Sequence, residues 1–172
     1  MEKISSQRKS GSGLGDGMLP DFESFYQLNY SRLRNFLHRY LGDAREAEDI
    51  AQDAFLQLWR NRDGYKPDRG TLKAYLFGIA AKRAADCIRR DSKTKAIPSM
   101  NSVDVPVSST VVMADALDQL PPEMRALIWL REVEGYRHGE LAAIFGIPEG
   151  TVKSRLHAAR EQLRRVWHMD GG

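Results

Sequence analysis

Cysteine is nearly absent from this chain: Cys87 stands alone among 172 residues. That excludes an internal disulfide and any zinc site built from several cysteines of one chain, and it suits a reducing compartment. Long apolar runs are missing as well. No stretch approaches the ~20 residues that span a bilayer, and the first residues lack the apolar core of a secretory signal. A soluble, cytoplasmic protein with no membrane role is expected. Net charge is small, +3, while the pI is about 9.1, so the distribution of charge matters more than its total. Phosphate-binding glycine loops, metal-ligand spacings and nucleophile–base pairs do not occur. The histidines, His38, His138, His157 and His168, are scattered at what read as helix surface positions. These absences predict no catalytic residue, no metal, no cofactor and no small-molecule substrate, hence not an enzyme.

Helical periodicity is what the chain does have. Residues 1–20 carry Gly11, Gly13, Gly15 and Gly17 with several serines, a composition that cannot offset the entropy of ordering, so a disordered tail is predicted. From Phe22 to Leu41 the apolar residues recur at helical spacing. Gly42 stops that helix, and Asp43 with Glu46 forms a capping box for the next. There Ala47, Ile50, Ala51, Ala54, Phe55, Leu58 and Trp59 form one stripe. Asp63-Gly64, Pro67 and Gly70 make 61–71 a loop. A third helix, from Leu72 to about Arg90, is apolar nearly all round and should be the centre of a bundle. Residues 92–113, with Pro98, Pro106 and many Ser and Val, read as a flexible linker. Further helices follow at about 114–120, 123–134, 138–145 and 149–167. The predicted fold is all-α, without strands: a three-to-four-helix bundle over 21–91 and a helix-turn-helix domain over 114–168. Each is expected to have its own core.

The segment Glu140–Leu156 carries the most information. Leu141, Ala142 and Phe145 face inward, Ala142 is small enough for a close helix crossing, and Gly146 supplies a left-handed turn residue. Ile147 plugs the gap, Pro148 starts the second helix, and Val152 and Leu156 anchor it. Thr151, Lys153, Ser154, Arg155, His157 and Arg160 then face outward. Residues 149–168 hold five Lys/Arg against two Glu. A basic face at the front of a second helix suits the major groove of DNA.

Charge is sorted along the chain. Residues 43–59 hold five acids and one arginine, while 60–95 hold eleven Lys/Arg and four Asp. Asp49, Gln52, Asp53 and Leu56 fall on one helix face, opposite the apolar stripe. A leucine within a row of carboxylates suits a partner protein with a basic surface; a merely solvated face is the alternative. Arg60, Arg62, Lys66, Arg69, Lys73, Lys82, Arg83, Arg89 and Arg90 can neutralise phosphates, with Tyr65 as a loop aromatic able to stack on a base.

Several of these segments resemble the extracytoplasmic-function group of bacterial RNA polymerase sigma factors. Gly146-Ile-Pro-Glu-Gly-Thr-Val-Lys-Ser-Arg-Leu-His157, with the lead-in from Leu120 to Tyr136, resembles the reader of the −35 promoter element. Glu48–Trp59 resembles the polymerase-binding helix, and Pro67–Arg83 the segment that reads and melts the −10 element. The resemblance implies core RNA polymerase and promoter DNA as partners. It assigns polymerase binding to Asp49, Gln52, Asp53 and Leu56. Arg60, Arg62, Tyr65, Lys66, Arg69, Lys82 and Arg83 would act at −10, with a base pocket between the 61–71 loop and 81–83. Thr151, Lys153, Ser154, Arg155, His157 and Arg160 would act at −35, with Lys153, Ser154 and His157 on base edges. Lys82 departs from the asparagine common in the family, which bears on base choice. Many relatives are held by an anti-sigma factor; no residue here identifies one. A free-standing helix-turn-helix regulator is the competing reading, and the first domain discriminates the two.

Overall fold

The computed structural model describes residues 21–94 and 116–169. The expected tail, and the expected linker apart from its first residues, lie outside the described residues. Those first residues are helical. The elements are α1 (Phe22–Leu41), α2 (Ala44–Arg60), two short 3-10 turns (Arg62–Gly64 and Pro67–Arg69), α3 (Leu72–Thr94), α4 (Pro122–Glu132), α5 (His138–Phe145) and α6 (Glu149–Met169). No strand occurs among the described residues.

Local chemistry sets most of these limits. The Asp21 carboxylate accepts from the Glu23 N–H and the Ser24 hydroxyl at the start of α1. Gly42, at φ 75°, ends that helix and donates its N–H to the His38 carbonyl. Asp43 caps α2 by accepting from the Arg45 and Glu46 N–H groups. The expected capping box is only half formed, because Glu46 does not turn back to the cap. Its Oε2 lies 2.6 Å from Cys87 Sγ on α3 and accepts the thiol proton.

Helices α1, α2 and α3 form one bundle, closed by Leu33, Phe36, Leu37, Tyr40, Ala47, Ala51, Ala54, Leu58, Leu76, Phe77 and Ala80, all buried. Each fully buried Leu or Phe contributes roughly 1.5–3 kcal/mol. Trp59 departs from the expected stripe. It is 47% exposed, lies against the Phe22 ring at 4.7 Å and has the Arg62 guanidinium over its ring at 5.1 Å. It sits too far round the helix, and is too large, to enter the seam that Phe55 and Leu58 fill.

The second module packs α4, α5 and α6 around Leu127, Leu130, Leu141, Val152, Leu156 and Ala159. The expectation of two separate cores is corrected here. One buried apolar cluster runs through both modules. Helix α4 lies along α1, and α5 lies on α3, where a Cβ added at Gly78 would meet the Ile144 backbone at 3.8 Å. Tyr40 meets Phe145 and Phe77 meets Tyr136 across the seam. The nearly all-round apolarity of α3 has this cause: one side packs on α1 and α2, the other on α5.

Candidate nucleic-acid interface

The helix-turn-helix geometry follows the residues that specify it. Gly146 is left-handed at φ 62°, and the Ile147 N–H returns to the Ala142 carbonyl. The Pro148 carbonyl accepts from Thr151 and Val152 to open α6. Val152 and Leu156 are buried, which turns Lys153, Ser154 and His157 to solvent on one face. Lys153 is held loosely by Glu149 at 3.2 Å, and the Ser154 hydroxyl donates to the Thr151 carbonyl. Thr151 is half-buried. Arg155 and Arg160 point back toward α4, where Glu123 lies at 2.6 Å and Glu132 at 2.7 Å. These exposed pairs are worth little to folding, yet they hold both guanidiniums beside the outer face of α6. Ile144, which sequence reasoning passed over, is buried against α3.

The basic strip of the first module divides into separate places. Tyr65, Lys66 and Arg69 line a cavity of about 330 Å³ together with Tyr75 and the α5 residues Gly139 and Glu140. The Tyr65 hydroxyl donates to the Gly70 carbonyl, and its ring lies 5.7 Å from that of Tyr75, which fixes the loop. Arg60, Lys66, Arg69 and Lys82 make no ion pair among the described residues. Lys82 opens into another cleft, of about 470 Å³, between α3 and the turn of the helix-turn-helix, shared with Arg89, Arg155 and Gly146. The expected single pocket between the 61–71 loop and 81–83 is therefore not formed in this arrangement. The Arg83 guanidinium is turned to α2, and Lys73 is engaged across the seam.

The acidic face of α2 is as its spacing predicts. Asp49, Gln52 and Asp53 are exposed, and Leu56, one turn further along, is 50% exposed. Arg83 reaches this face from α3 and joins it to the basic strip.

Polar groups hold the modules together. Glu134, in the turn between α4 and α5, accepts from Lys73 at 2.6 Å and lies 3.7 Å from Arg32. Arg125 is buried and donates to the carbonyls of Arg39, Asp118 and Leu120, with the Asp118 carboxylate at 3.6 Å. Burial pulls its guanidinium below the usual arginine range, partly offset by Asp118. The Tyr136 hydroxyl and the Trp129 indole N–H are buried without partners among the described residues. Burial, then Glu134, pushes the Tyr136 phenol above its ordinary range. Each orphaned group costs about 1–3 kcal/mol, and both lie where the modules meet, Trp129 beside Arg39 and Tyr136 beside Phe77. Glu134, Tyr136 and Arg125 escaped sequence reasoning. A lone arginine inside an apolar helix face was the legible signal for Arg125; Glu134 follows no period.

Comparison with known proteins finds two family models along the chain. Residues 25–94 match the family model described as Sigma-70 region 2, and residues 111–163 match Sigma-70, region 4. The chain is 31% identical to the RNA polymerase sigma factor CarQ of Myxococcus xanthus, over 88% of this chain and 91% of that protein. It is also 31% identical to the ECF RNA polymerase sigma factor SigL of Mycobacterium tuberculosis, over 91% of this chain and 93% of SigL. Against the ECF sigma factor SigE of Mycolicibacterium smegmatis, at 31% identity, it spans 61% of the relative's length. Among solved structures, the sigma factor RpoE of Bartonella quintana, in complex with the anti-sigma factor NepR, is 28% identical with a TM-score of 0.73. That match covers 88% of this chain and 99% of RpoE.

Proposed function

The chain belongs to the sigma-70 family, in its extracytoplasmic-function group, and from that premise we propose how its residues share the work of promoter-specific transcription initiation. It acts as a non-catalytic, cytoplasmic subunit. The exposed row Asp49, Gln52, Asp53 and Leu56 docks on a basic surface of core RNA polymerase, where carboxylates steer and the leucine is buried. Lys153, Ser154 and His157 read base edges of the −35 element in the major groove, and Thr151, Arg155 and Arg160 hold its phosphates. Arg60, Arg62, Lys66, Arg69 and Lys82 bind the backbone around −10, and Tyr65 offers a stacking surface to an unpaired base.

One observation carries this reading: buried Val152 and Leu156 leave Lys153, Ser154 and His157 together on the outer face of a helix-turn-helix. A basic strip and an acidic face in the other module supply the remaining parts. Because Lys82 opens into a cleft roofed by α5 and α6, the modules separate when the chain loads onto polymerase and DNA. An anti-sigma factor is the further partner class, by analogy with RpoE, which was solved in complex with the anti-sigma factor NepR. The test is run-off transcription by core polymerase plus this chain on a promoter library. Initiation from a defined subset of promoters supports the reading, and no initiation above core polymerase alone refutes it.

A further inference from the structure

The Arg83 guanidinium is given wholly to the acidic helix. Nε and Nη2 donate to Gln57 Oε1 at 3.1 and 2.9 Å, and Nη1 donates to Asp53 Oδ2 at 3.0 Å. Asp53 and Gln57 are one helical turn apart, so a planar fork can span both where a point charge could not. Its neighbour Lys82 faces the other way, into the cleft below the helix-turn-helix. Adjacent cations on α3 thus serve opposite sides of the module. Arg83 and Asp53 are 40% and 57% exposed, and such a pair adds little to folding. Its effect lies in orientation. A carboxylate on a bare helix surface samples several rotamers, whereas here Oδ2 is tethered and Oδ1 is left for a partner's cation.

We propose that Arg83 is a positioning residue of the polymerase-docking face, which holds Asp53 and Gln57 in one orientation, and that it is not a contact to promoter phosphate. The proposal rests on the reading of the Asp49–Leu56 row as the docking face. Gln57, one turn beyond Asp53, belongs to that face with it. Pre-organisation of this kind raises affinity by removing an ordering cost from the binding step.

The experiment uses the full chain with Arg83→Gln, Arg83→Lys, Asp53→Asn, Asp49→Asn and the Arg83→Gln/Asp53→Asn double variant. Affinity for core polymerase is measured by fluorescence titration. The salt dependence of promoter binding is measured with saturated holoenzyme. Arg83→Gln is expected to weaken core binding about five-fold, the scale of one exposed pair. The double variant should be no weaker than Asp53→Asn alone, because the two residues act as a unit. Lysine should restore only part of the loss, and the salt slope should stay at the wild-type value. A structural role would lower the melting temperature of every Arg83 variant and would not produce this non-additivity. Wild-type core affinity in Arg83→Gln, or a salt slope lowered by about one unit, overturns the proposal while the docking face stands. Wild-type core affinity in both Asp49→Asn and Asp53→Asn overturns the docking reading and the proposal together.

Discussion

Glu134 places Oε2 2.6 Å from Lys73 Nζ, so a carboxylate of the helix-turn-helix module occupies a cation of the first module's basic strip. Its side chain is 5% exposed, Arg32 lies on its other side, and the Lys73 ammonium also sits over the rings of Phe77 and Tyr136. A buried carboxylate with two cations is costly to break from one side, since the group left behind remains desolvated. It therefore works as a clasp between modules.

Glu134→Ala should loosen the closed arrangement. Loss of the clasp is expected to cost about 1–3 kcal/mol of closure. The free chain should then become larger by small-angle scattering and bind a single-stranded −10 oligonucleotide more tightly. Unchanged dimensions and affinity would show that the apolar seam alone holds the modules.

Promoter reading separates Lys153 from Arg160. Lys153→Ala should cost holoenzyme about 1–3 kcal/mol on its preferred −35 element and relax selection at one base pair. Arg160→Ala should weaken all sequences alike and lower the salt slope by about one unit. Glu132→Gln, which frees Arg160, should strengthen all sequences alike. Equal loss on every duplex for Lys153→Ala would make Lys153 a phosphate contact.

The proposed roles put promoter opening on the 61–71 loop and on Lys82. Alanine at Arg62, Tyr65 or Lys82 should reduce permanganate reactivity across −10 while core affinity changes little. Tyr65→Phe removes the hydroxyl that holds the Gly70 carbonyl and should have a smaller effect than Tyr65→Ala. Full opening by the triple alanine variant would take this segment out of the mechanism.

Alkaline stability reports on Cys87. Burial first, then the hydrogen bond to Glu46, pushes its thiol up to about 11. An unfolded thiol ionises near 8.5, so the unfolded chain loses its proton first, and stability falls as pH rises from about 8.5 toward the folded value. Cys87→Ser should flatten that fall between about pH 8.5 and 10. Above that range the buried Tyr40, pushed up to about 12, adds its own loss. A wild-type slope in Cys87→Ser would assign the dependence to other groups.

What the sequence determined by itself is local. Asp21, Asp43, Gly42 and Gly146 mark helix ends through hydrogen bonds and φ values that involve only near neighbours. Val152 and Leu156 set the rotation of α6 because a helix with one apolar face has one way to bury it. The row Asp49–Leu56 was legible for the same reason. Tertiary structure alone decided which surface covers each face and where the long side chains end. Periodicity showed that α3 is apolar nearly all round, but not that α5 takes its second side. Arg83, Arg155, Arg160 and Lys73 carry charges on flexible stems several ångströms from the backbone, so sequence position leaves their partners open. Gln57 with Asp53, Glu123, Glu132 and Glu134 took them because packing brought those acceptors within reach, between 26 and 61 residues away along the chain. Distance in space, which no local pattern encodes, settles the partner of a charge.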